Sequence, residues 1–152
     1  MPYEEEVLKR LREKFPGALA EADIVRKGDG RTGVARVMID RKDLHAVSEF
    51  LRDALGFDHC SLISAVDWVS RFECVYHFTS WSHRAMIQLN AVIPYDDPRI
   101  ASVSDLWEGA NWHEREAYDM MGIIFEGHPD LRRILLPKDF RFFPLRKSYK
   151  GG

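Results

Sequence analysis

A chain of 152 residues with 45% hydrophobic, 12% aromatic and 30% charged side chains has the size of one domain with a sizeable core and a well-solvated surface. Its 22 Lys and Arg against 24 Asp and Glu leave a formal net charge of -2, which excludes bulk attraction to nucleic acid or to a membrane surface. No apolar run approaches the ~20 residues of a membrane-spanning helix and nothing reads as a secretory signal, so any membrane association is expected to be indirect.

Residues 3–15 carry a helical stripe of Val7, Leu8, Leu11 and Phe15, with Glu4 to Glu6 in the first turn, where a helix dipole favours anions. Pro16-Gly17 stops it. The run Lys27-Gly28-Asp29-Gly30-Arg31-Thr32-Gly33 separates Ile24-Val25 from a strand-like stretch at 34–39, and reads as a hairpin turn. A phosphate-cradling GxGxxG would open onto a helix, whereas strand alternation follows here. Asp40 is placed to cap the next helix, with Asp43 in its first turn, Leu44, Val47, Leu51 and Leu55 on its buried face, and Gly56 just past its end. His45 falls beside that face on the exposed side and reads as a surface histidine.

Three strand-like runs follow at 60–69, 73–80 and 85–93. Cys74, Tyr76 and Phe78 alternate with Val75, His77 and Thr79, and Ala85, Ile87, Leu89 and Ala91 alternate with Met86, Gln88 and Asn90. One apolar and one mixed face is the pattern of a sheet covered by helices on one side. Asp67-Trp68 is awkward inside a strand and fits a turn-side position. Cys60 and Cys74 are the two cysteines of the chain, too few for an iron–sulfur cluster or a structural zinc site, and read as reduced, small apolar residues. The expected order is helix, two strands, helix, three strands, helix and irregular tail. That is an α+β two-layer domain with a mixed five-stranded sheet, spanning 1–122, followed by an extended docking tail at 123–152.

The last helix is expected over 110–121, ended by Gly122. Ala110, Ala117, Tyr118 and Met121 share one side, and Glu114 falls in the middle of that stripe. A carboxylate there must be paired or protonated, and it is read as an anchor bonded to Arg115, Arg132, Arg133 or Arg146, or to N–H groups of the loop at 127–136. A catalytic acid or metal ligand would need converging groups, and no HExxH or Glu-x-x-His spacing supplies them. Beyond Gly122, prolines at 129, 137 and 144 break any regular element, yet nine large apolar side chains lie between Leu131 and Tyr149. Seven Lys or Arg and one acidic residue fill 131–150, against seven acidic residues and two arginines at 96–119. The tail is therefore expected to fold on its own acidic helix, to grip a partner, or both, leaving an apolar patch rimmed by Arg141, Arg146 and Lys147 for a partner to cover. A hydrolase built on Glu114, His113 or Asp119 lacks a nucleophile–base pair with an orienting third group. Single-strand nucleic-acid binding through Phe140, Phe142, Phe143 and Tyr149 is opposed by the acidic helix, so no nucleic-acid partner is expected.

In order and without insertion, Gly109-Ala110-Asn111-Trp112, Glu114-Arg115-Glu116, Tyr118-Asp119-Met120, Gly122-Ile123, Phe125, Gly127-His128-Pro129, Arg133, Pro137, Asp139-Phe140 and Pro144-Leu145-Arg146-Lys147 resemble the C subunit of NADH:quinone oxidoreductase, respiratory complex I. Related subunits of membrane-bound hydrogenases and F420H2 dehydrogenases share the pattern, and residues 57–68 and 76–78 match it more loosely. The resemblance implies a non-catalytic subunit in the peripheral arm on the cytoplasmic side of a membrane. It would carry no cofactor of its own and pack against the D-type large subunit near the quinone pocket, with iron–sulfur clusters and quinone in partner subunits. Trp112, Glu114, Arg115, Glu116, Asp119, Gly122, His128, Pro129, Arg133, Pro137 and Arg146 would be signature and docking residues. Met121 stands where many bacterial members carry an aromatic residue, and the chain stops soon after Lys147 where many run on, which leaves the electron donor open.

Overall fold

The structure, a computed structural model, describes residues 2–26, 28 and 33–149. Lys27 and residues 29–32 of the glycine-rich run lie outside these, and with them the hairpin turn expected there. The elements are α1 (Tyr3–Lys14), β1 (Leu19–Arg26), β2 (Gly33–Asp40), a 3-10 turn (Arg41–Asp43), α2 (Leu44–Asp53), β3 (His59–Asp67), β4 (Arg71–Ser80), β5 (Ala85–Pro94), β6 (Arg99–Ala101), α3 (Ala110–Met121) and β7 (Ile124–Glu126).

Five strands form one mixed sheet in the order β1-β2-β5-β4-β3, with β2 and β5 parallel and every other neighbour antiparallel. The register stacks the alternating apolar residues into rows: Ala35, Ile87, Phe78 and Cys60, then Val37, Leu89, Tyr76 and Ile63. All eight are buried, and burying such an aliphatic or aromatic side chain contributes about 1.5–3 kcal/mol. Val7, Leu8 and Leu11 of α1 and Leu44, Val47 and Leu51 of α2 close over this face. The opposite face carries Arg36, Gln88, Asn90 and Glu73, bonded among themselves or to Asp23 and Arg71. The α+β, one-sided sheet read from the sequence is the observed architecture.

Three local features differ from the sequence reading. Asp40 caps the 3-10 turn rather than α2 itself: its Oδ1 accepts the Lys42 N–H at 2.9 Å, and the chain runs from that turn into α2. A parallel pair, β6 with β7, has no signature in the sequence, because strands of three residues are too short to show a repeated alternation. It buries Ile100, Ile123 and Phe125, and Ser102 N–H extends it to the Glu126 carbonyl at 2.8 Å. Residues 123–126, assigned from sequence to the tail, are thus built into the domain. Beyond them, 131–149 contain no helix or strand and lie back on α3.

Candidate functional site

Helix α3 is used on two faces. Ala110, Glu114, Ala117 and Met121 turn toward the sheet and are buried. Asp119, about 140° around a 3.6-residue helix from Glu114, is equally buried but under the tail. Helical periodicity counted from the apolar stripe locates the first carboxylate and misses the second.

Glu114 is fully buried, and its partners come from the segment that follows β6. Ser102 Oγ donates to Oε1 at 2.6 Å, and the Val103 N–H donates to Oε2 at 2.8 Å. Burial pushes this carboxyl up to about 7, against the opposing effect of those two hydrogen bonds. None of the four expected arginines and no N–H group of the loop at 127–136 reaches it. His128 comes to 4.0 Å of Oε1 but spends its ring elsewhere. Its Nε2–H donates to the Asn111 carbonyl at 3.2 Å and its Nδ1 accepts the Asp130 N–H at 2.9 Å, a pair of bonds that only the neutral Nε2–H tautomer makes.

Asp119 holds the role expected of Glu114. Its Oδ1 accepts Arg133 Nη1 at 2.9 Å, and its Oδ2 accepts the N–H groups of Ile134, Leu135 and Leu136 at 3.3, 2.7 and 3.0 Å. Burial pushes its pKa up, but the Arg133 bond and the three backbone donors together hold it below the ordinary carboxylate range. Arg133 also donates to the Asp119 carbonyl at 2.6 Å and to the Phe142 carbonyl at 2.9 Å, and lies 4.8 Å from the Phe143 ring centre. One guanidinium thereby ties two stretches of the tail to the helix.

The C-terminus of α3 is closed by the tail as well. Leu145 N–H reaches the Met120 carbonyl at 3.1 Å and Arg146 Nε the Met121 carbonyl at 2.6 Å, satisfying two of the last helical carbonyls with a cation at the negative end of the dipole. Gly122 takes the left-handed conformation (φ 77°), as its place after the helix required, and the tail lies directly on it. A Cβ there would stand 2.7 Å from Arg146 Nη2 and 2.8 Å from the Phe143 ring.

This fold and segment have known counterparts. The family described as respiratory-chain NADH dehydrogenase, 30 Kd subunit, matches residues 37–152. The chain belongs to that family. It is 38% identical over 148 residues to the C subunit of the F420H2 dehydrogenase of Methanosarcina mazei, covering 95% of this chain and 90% of that one. It is 39% identical over 158 residues to the C subunit of the NADH-quinone oxidoreductase of Salinispora arenicola, covering 99% of this chain but 62% of that longer relative. A solved structure described as the trypsin-resistant fragment of Nqo5 superposes with a TM-score of 0.68 and 32% identity, over 85% of this chain and 99% of that one. A chain of the membrane-bound sulfane sulfur reductase, an archaeal respiratory membrane complex, shares the fold at a TM-score of 0.81 and 24% identity, over 97% and 85% of the two chains.

Of the residues that carry the family resemblance, Glu114, Asp119, Gly122, His128, Arg133 and Arg146 converge on α3 and its two flanking segments. Trp112 stays 63% exposed with the Arg115 guanidinium 4.9 Å over its ring, and Arg115 Nε reaches the Arg132 carbonyl at 3.4 Å. Glu116, Pro129 and Pro137 are exposed. Arg146, expected at the rim of an apolar patch, turns inward instead, because Phe143 and Phe72 offer ring faces at 4.8 and 5.2 Å beside the helix carbonyl. Asp67, whose sequence context suggests only a turn-side position, is buried and anchors the far end of the tail. It accepts the Val69 N–H at 2.7 Å, the Lys147 N–H at 2.8 Å and the Tyr95 hydroxyl at 3.2 Å. Its pKa is pushed up by burial and more strongly down by these donors, for a net lowering. The sequence signal was an acidic residue closing an uncharged strand.

Both cysteines are buried, and burial pushes the Cys60 thiol up to about 12 and Cys74 also upward, so neither offers a thiolate. Among the described residues no group of three or more His, Cys, Asp or Glu is arranged to hold a metal ion. Glu114, sealed from solvent with both oxygens taken, is built to pin the segment after β6 to α3, and Asp119 and Asp67 pin the tail.

Proposed function

We propose that the chain is a structural, non-catalytic subunit of a complex-I-type, membrane-associated oxidoreductase. It lies in the peripheral arm on the cytoplasmic side and packs against the D-type large subunit near the quinone site. In this reading iron–sulfur clusters and quinone belong to neighbouring subunits, and this chain keeps them in register. Electron tunnelling depends on fixed distances between centres, so a rigid spacer matters without performing chemistry.

The observation that carries the reading is the tail of this family member. A segment without helix or strand is held in one shape by Asp119, Asp67, Arg133 and Arg146, while Leu135, Phe142 and Leu145 remain 50–61% exposed. Ordering such a segment costs conformational entropy, and large apolar side chains held outward on it are the composition of an interface. The same role in an F420H2 dehydrogenase is favoured by the Methanosarcina relative, similar over nearly its whole length. The test is recovery with the large subunit from native membranes. Leu135→Asp and Phe142→Asp leave the buried carboxylates intact and are expected to lower recovery about tenfold or more. Unchanged recovery with both substitutions would remove the tail from the interface.

A further inference from the structure

The sheet has two edges, and they differ. β1 carries Glu21, Asp23 and Arg26 and a register irregularity near its start, the usual protections against pairing with a foreign strand. β3, at the other edge, has no Lys, Arg, Asp, Glu or Pro between Asp58 and Asp67. Its one irregularity falls between Cys60 and Leu62, which leaves the rest of the strand regular. Along this edge, between β3 and the flank of α3, runs an apolar groove of about 140 Å³ lined by Leu62, Ala65, Ala117, Met120 and Leu145, with Glu116 as its one charged wall. Leu62, in one row with His77 and Gln88 on the opposite face of the sheet, is 43% exposed beside this edge.

We infer that the free edge of β3 is a docking site for an extended strand of a partner polypeptide, which adds to the sheet as a sixth strand. Its small or medium apolar side chains, at every second position, would sit in the groove beside Met120 and Ala117. Edge pairing suits this surface because unpaired N–H and C=O groups select an extended backbone, and the groove selects alternate apolar side chains. A second copy of this chain does not fit. Antiparallel pairing about a two-fold axis leaves both copies of α3 on the same face, and α3 packs on β3 itself. Neighbouring strands lie ~4.8 Å apart, whereas packed helices need about 8–10 Å between axes. The incoming strand therefore carries no helix over it on that face, and it comes from a different chain. This inference rests on the reading of the protein as an assembled subunit and names, on the large subunit, the kind of segment that meets it.

The test is residue-resolved amide exchange on the full chain, alone and in the native complex. Alternate amides within 62–66 are expected to exchange at least about tenfold more slowly in the complex, with a period of two. Unchanged rates there, in a complex that still contains the chain, overturn the inference while leaving the proposed function standing. Protection already present in the isolated chain, with a dimer in sedimentation, overturns it in favour of self-pairing. Failure of the wild-type chain to co-purify with a large subunit overturns the proposed function itself. As a second arm, Ala65→Lys places a charge in the groove. The folded variant, with wild-type exchange in β4 and β5, is expected to lose about tenfold in recovery with the large subunit. Wild-type recovery of that folded variant counts against the site, and should the variant not fold, the exchange measurement decides alone.

Discussion

Glu114 and Asp119 are the same functional group, both closed off from solvent on one helix, and their pKa values shift in opposite directions. Glu114 lies deeper in the protein, and the donor sets differ. Two neutral donors do not offset the desolvation of Glu114, whereas a guanidinium with three N–H groups more than offsets that of Asp119. A carboxyl raised to about 7 binds its proton more tightly in the folded state than in the unfolded one. Its contribution is fully present below the unfolded value of ~4.3 and is lost as pH rises through about 7, an amount on the order of 3 kcal/mol. Denaturant unfolding at pH 5 and pH 8 should therefore show this loss in the wild type and a much smaller one in Glu114→Gln; equal slopes would contradict the assignment. Asp119 runs the other way, its stabilisation present above the unfolded value of ~3.9 and lost as pH falls through its lowered folded value. Asp119→Asn leaves the nearly buried Arg133 without its carboxylate and should cost about 3–5 kcal/mol, read as a lowered unfolding midpoint.

At the scale of elements, the end of α3 shows how helix and tail depend on each other. Gly122→Ala pays for a left-handed backbone, about 1–2 kcal/mol, and its Cβ also strikes Arg146 and Phe143. The expected result is a lowered melting temperature together with faster amide exchange at Leu145 and Lys147, since the tail must lift; a drop in stability without tail exposure would mean the clash is relieved elsewhere. The long elements were legible in the sequence because their burial is periodic: alternation in β4 and β5, the stripes of α1 and α2, and the glycine after α3. β6 and β7 were not, because three residues are too few to establish an alternation. Within the site, the burial of Glu114 was legible from its place in a stripe, but its partners were not. Ser102 lies 12 residues away, and Lys147 lies 80 residues from the Asp67 it bonds. Nothing local in the sequence announces such pairings. Asp119 was obscured for a second reason: its cover is irregular chain, which carries no periodic signature.

For the whole molecule, the two carboxylates that pin the tail, Asp119 and Asp67, turn an irregular segment into a fixed surface of a respiratory-complex subunit. The domain supplies rigidity through its sheet, α3 transmits it, and the tail presents Leu135, Phe142 and Leu145 at fixed positions. Tail amides at 134–136 should accordingly be slow to exchange in the isolated chain, because Asp119 already accepts them. The most direct measurement of the docking role is photo-crosslinking from a reactive side chain at Phe142 in native membranes. The account predicts a dominant crosslink to the large subunit of the complex. A folded, membrane-recovered chain that crosslinks to no other polypeptide from that position would contradict it.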